Sequence, residues 1–130
     1  MKKLSLAYGA GTLGAVANFT FGLILSTTGL LNLLGVYLPP QQMPAALYQR
    51  LVWGGIWGIL LYLPLWKGDL RIKGLLIGVL PSLVAGLLVF PSRGGGLFGH
   101  HFGAAFPALI FIFNWVWGII TIWCYRVMSR

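Results

Sequence analysis

Apolar residues run along this chain in four long stretches, each stopped by a cluster of glycine, proline or charge. The stretches cover about 4–25, 45–66, 72–90 and 106–125, and each comes near the ~20 residues of helix that cross a bilayer core. A shorter apolar piece, 29–38 ("GLLNLLGVYL"), follows "STTG" and cannot span. It is expected to be interfacial, re-entrant or a continuation of the first helix beyond the membrane. Pro39 and Pro40 stop it, Pro44 suits the start of the second helix, and Pro91 closes the third. The pattern predicts an all-α integral membrane protein. A single four-helix transmembrane domain occupies 1–130.

Composition supports that reading. Hydrophobic residues make up 58% and charged residues 8% of the chain, against about 25% charged in ordinary soluble domains. The start imitates a signal peptide, with Lys2, Lys3 and an Ala15-Val16-Ala17 site. However, Gly9, Gly11 and Gly14 interrupt its apolar region, which runs on to Leu25, so a retained first helix is expected. The Asn18-Phe19-Thr20 sequon falls inside that span, out of reach of glycosylation.

The net charge of +8 comes from nine cations, which sit at the ends of apolar runs, against one acidic residue. They form no basic stripe, so nucleic acid is not the expected partner; the lipid bilayer is. With four spans, Lys2, Lys3, Lys67, Arg71, Lys73, Arg126 and Arg130 fall on one side, and Arg50 and Arg93 on the other. The positive-inside rule then places both termini in the cytoplasm, in a membrane of the bacterial inner type. So strong a bias argues against a dual-topology dimer. Trp53, Trp66, Trp123 and Tyr125 fit interfacial aromatic belts.

Two rows of small residues recur at four-residue spacing: Ala10, Gly14, Asn18, Gly22 and Ser26 in the first helix, and Gly74, Gly78, Ser82 and Gly86 in the third. In lipid, helices associate through close backbone approach, which small residues permit. The rows are therefore expected to be helix contacts, with each other, with the second and fourth helices, or with a partner chain. A faint echo at an offset of 60 relates Trp57, Gly58 and Ile59 to Trp117, Gly118 and Ile119. It is compatible with two parallel hairpin repeats.

Few residues could carry chemistry. Asp69 is the only acidic side chain and sits among cations in "WKGDLRIK", so paired-carboxylate catalysis and carboxylate cation sites are out of reach. A lone Cys124 forms no intrachain disulfide. Asn18 and Asn114 are mid-span amides that act as clamps or as polar points on a path. Pro81 should free a carbonyl near Ile77 and kink the third helix. The loop "FPSRGGGLFGHHFG" lacks the lysine of a phosphate-binding loop and the strand context of a dinucleotide site. Its adjacent His100 and His101 lack further ligands for zinc. Arg93, His100, His101 and Asn114 are the candidate contacts for a solute or lipid headgroup.

No catalytic, cofactor or metal site is expected. The expected function is that of a non-enzymatic subunit or assembly factor of a membrane complex, associating through small-residue helix faces. The alternative is an oligomeric channel or carrier for a small neutral or anionic solute.

Overall fold

A computed structural model describes residues 1–39, 42–64 and 67–130. Pro40, expected to help end the 29–38 piece, and Trp66, expected at an interface, lie outside the described residues. The fold is all-helical, with no strand among the described residues. The helices are α1 (Lys2–Thr27), α2 (Leu30–Leu33), α3 (Ala45–Gly58), α4 (Leu70–Val84), α5 (Phe90–Ser92) and α6 (Phe106–Met128).

Three helical runs are long and apolar enough to cross a membrane: Lys2–Thr27, Leu70–Ser92 and Phe106–Met128. Helix α3 has 14 residues and is continued by the 3-10 turn Ile59–Tyr62. That gives a helical run of about 29 Å, interrupted in apolarity by Gln49 and Arg50.

Neighbouring runs are antiparallel. Helix α1 packs against α3 and α6, and α6 against α4. Gly14 of α1 meets Thr121 and Trp117, while Gly22, two turns on, meets Phe113. Gly74 of α4 meets Gly118, and Gly78 meets Asn114. The cations therefore divide by end: α1 begins, α4 begins and α6 finishes at the end carrying Lys2, Lys3, Arg71, Lys73, Arg126 and Arg130.

Helix α1 is central because it carries two small rows, not one. Ala7, Gly11 and Ala15 lie three residues ahead of Ala10, Gly14 and Asn18, and a three-residue step puts the two rows on adjacent faces about 60° apart. The first row faces α3 and the second α6. Trp117 fills the angle between them, 3% exposed, with its indole Nε1 donating to Gly11 O at 3.0 Å.

Helix α4 continues through Pro81, which is buried inside it, and Ser82 Oγ donates to Gly78 O at 2.7 Å. It then widens into a π-helical turn, Ala85–Val89. Gly29, at φ 76°, separates α2 from α1. The 29–38 piece is thus not a continuation of the first helix. It folds as a cap in which Leu31 and Val36 are buried against Phe106, Leu109 and Ile110.

Candidate functional site

The residues singled out by sequence lie in two places: along the seams of α6, and in the cap over the end where α1 finishes and α6 begins.

In the seams the backbones themselves meet. A methyl group built on Gly58 would stand 2.5 Å from Ala7 O and 2.8 Å from Gly11 Cα. One on Gly54 would stand 2.5 Å from Ala15 Cβ. On the far side of α6, a methyl on Gly78 would stand 2.6 Å from Asn114 O, and one on Gly118 would overlap Gly74 O. No side chain larger than hydrogen fits at these four positions unless a helix moves. This shape lets dispersion contact hold helices together where lipid supplies no hydrophobic drive. Gly58 meets Gly11 much as Gly118 meets Gly74, so the two residues related by the 60-residue echo each close a hairpin on a glycine.

The two seam amides are turned onto backbone. Asn18 Nδ2 donates to Phe113 O at 2.8 Å, tying α1 to α6. Asn114 Nδ2 donates to Ile110 O of its own helix at 3.0 Å, which engages one of its amide hydrogens one turn back. Thr121 is fully buried, and its Oγ1 has no hydrogen-bond partner among the described residues. The Gly14 Cα–H that stands where a Cβ would be points at this oxygen, a weak Cα–H···O contact of the kind found where helices meet closely.

Of the two sequence rows, Ala10 is fully buried and Gly14 and Gly22 lie against α6 with Asn18. Ser26 is exposed. Gly74 and Gly78 also lie against α6, Ser82 is buried, and Gly86 receives the ring of Phe98. Apart from Ser26, the members of both rows are buried or lie against other parts of the chain. Sequence reasoning missed the row Ala7, Gly11, Ala15 and its counterpart Gly54, Gly58, although both show the same four-residue spacing.

The cap is built on aromatic rings. Phe90, Phe102 and Phe106 form a mutual edge-to-face trio with centroids 5.0 to 6.0 Å apart. Phe98, held at φ 52°, stacks on Phe111 at 6.0 Å and lies over Gly86 in the π turn. Glycines make room for these rings: a methyl on Gly95 would stand 2.5 Å from the Phe102 ring, and one on Gly99 would overlap Phe106. The 29–38 piece is laced to the loop, with Tyr37 N–H donating to Phe102 O at 2.8 Å. "GGGLFGHHFG" is thus a folded, ring-packed segment, not a loose connection.

His100 and His101 lie exposed on its outside, with ring centroids 4.2 Å apart. Each Nδ1 faces a backbone carbonyl, Leu97 O at 2.9 Å and Gly94 O at 3.1 Å. A carbonyl only accepts, so each neutral ring carries its proton on Nδ1 and leaves Nε2 as an acceptor. Arg93 is exposed at the end of α5, whereas Asn114 lies within the α4–α6 seam and does not join this group. Among the described residues no three or more His, Cys, Asp or Glu come together.

At the opposite end, Asp69 caps α4 by accepting from Arg71 N–H at 2.9 Å. Lys73 Nζ donates to Leu61 O at 3.1 Å, closing the end of the 3-10 turn. A cleft of about 180 Å³ opens between α4 and α6, lined by Leu70, Arg71, Ile119, Ile122, Trp123 and Arg126.

These features define an all-helical protein with three helices suited to cross a membrane. No known protein family, curated protein or solved structure matches it.

Proposed function

We propose that this chain is a non-enzymatic four-helix membrane subunit, with both termini cytoplasmic, that works by association with other membrane chains, either copies of itself or different subunits. Helix α3 with its 3-10 turn serves as the fourth span; its length of about 29 Å matches a bilayer core of about 30 Å. The cations at the end where the chain begins and finishes favour the cytoplasmic side for that end.

The observation that carries the proposal is the exposure of α1. It has neighbours on two faces, yet only 22% of its apolar window is buried. Leu13, Val16, Leu23 and Ile24 lie open on its other faces. The small-residue rows are spent inside the chain, so a partner would meet this branched apolar surface instead of a glycine groove. A non-enzymatic role is supported by the engagement of the seam's amides and indole with backbone, and by Asp69's use as a helix cap. A channel or carrier would need its path between copies, because the seams within one chain are closed backbone to backbone.

The test is the intact mass of the protein extracted from its own membrane in mild detergent. Stoichiometric additional subunits, or a defined homo-oligomer, support the proposal. A chain that leaves its own membrane as a monomer, with no other subunit at stoichiometric amount, contradicts it.

A further inference from the structure

The cleft between the first turn of α4 and the last turns of α6 combines two features. Its walls, Leu70, Ile119 and Ile122, are apolar, while Arg71 and Arg126 come to it from different helices. The acid nearest in sequence, Asp69, is occupied as the α4 cap, where it accepts from the Arg71 backbone N–H, and it does not line the cleft. Lys73 is likewise turned away, onto Leu61 O and Leu63 O. Both arginines are exposed, and neither side chain forms an ion pair among the described residues.

The cleft also opens onto a track. Ile112, Trp115, Ile119 and Trp123 are spaced three and four residues apart on α6, and all four are exposed. Such spacing places them on one face, leading from the arginines toward the middle of the helix. Trp123, 63% exposed, stands beside Arg126 at the level where indole rings favour the membrane interface.

We propose that this cleft is a binding site for an acidic glycerophospholipid. The phosphodiester headgroup lies between Arg71 and Arg126, Trp123 flanks the glycerol, and an acyl chain follows Ile119, Trp115 and Ile112. Charge complementarity selects the occupant: guanidinium groups pair strongly with phosphate oxygens, and basic pockets between transmembrane helices suit anionic headgroups. A partner helix without acidic residues would fill the apolar track but leave the two cations without a counter-charge. The inference needs only that this end lies at a membrane interface, so it stands apart from the subunit proposal.

The experiment is native mass spectrometry of the full chain in mild detergent, titrated separately with phosphatidylglycerol and phosphatidylcholine. The wild type should prefer phosphatidylglycerol by about 25-fold, roughly fivefold for each cation. Arg71→Gln with Arg126→Gln should bring the two lipids within about twofold of each other, while Lys2→Gln with Lys3→Gln keeps the preference. A photoactivatable phosphatidylglycerol, cross-linked to the wild type and mapped by peptide, provides a readout independent of any variant's folding. Its label should fall on the peptides holding Trp123 and Arg71. Equal binding of the two lipids by the wild type, a preference that survives in the double arginine variant, or label confined to other helices overturns the proposal.

Discussion

Gly74 and Gly118 meet backbone to backbone across the α4–α6 seam, but not symmetrically. A methyl group on Gly74 would stand 3.1 Å from Gly118 O, whereas one on Gly118 would drive into Gly74 O. Gly118→Ala should therefore cost about 1–3 kcal/mol as the helices are forced apart. Gly74→Ala should cost less, because a shift of a few tenths of an ångström relieves it. Thermal unfolding in detergent, with the two variants side by side, checks the order; equal midpoints would show that the seam is looser than described.

The same reasoning separates glycines within α1. A methyl on Gly14 would drive into Thr121 Oγ1 and stand 2.8 Å from Trp117 O, while a methyl on Gly9 finds only Met128 Cε at 3.8 Å. Gly14→Ala should lower the unfolding midpoint. Gly9→Ala should raise it, since alanine is favoured over glycine in a helix interior by about 1 kcal/mol. Opposite signs are the expected result, and a loss at both positions would argue against the assigned faces.

Trp117 and Asn18 each make a side-chain hydrogen bond that ties α1 to α6, to Gly11 O from one side and to Phe113 O from the other. Asn18→Leu should cost only about 0.6 kcal/mol, the average for interhelical bonds in membranes. Trp117→Phe should cost more, because the buried indole also fills the angle between α1, α3 and α6, and a smaller ring leaves a void there. Denaturant titration in mixed micelles distinguishes the two.

The cap should depend on its rings and not on its histidines. Phe106, 5% exposed and in contact with Phe90 and Phe102, should cost about 3 kcal/mol on change to alanine. Replacing Arg93, His100 and His101 together by alanine should leave the unfolding midpoint within about 1 kcal/mol of the wild type and the intact mass of the assembly unchanged, as expected for exposed positions. A change in assembly in that triple variant would give the loop a role in partner contact.

The long apolar runs were legible because burying backbone in lipid permits little besides helices there, and hydropathy alone then marks the segments. The four-residue rows could also be seen in the sequence. What the rows touch could not, since a row of small residues specifies close approach without specifying the neighbour. The Ala10 row meets α6 while the Ala7 row, about sixty degrees round α1, meets α3, and Trp117 fills the angle they leave. The cap was least legible. Its glycines resemble a flexible connection in sequence, and only the positions of Phe98, Phe102 and Phe106 show them to be seats for rings. The end of the 29–38 piece was equally hidden, because the bond from Tyr37 to Phe102 O joins segments far apart in sequence.

Labelling of single cysteines with a membrane-impermeant maleimide tests the four-span arrangement most directly. In a Cys124→Ala background, Gln42→Cys and Arg93→Cys should react in intact cells, whereas Lys67→Cys and Arg130→Cys should react only after the membrane is opened. Labelling of Gln42→Cys and Lys67→Cys from the same side would mean that α3 does not cross the bilayer, and labelling of Lys67→Cys with protection of Gln42→Cys would reverse the orientation; either would contradict the account.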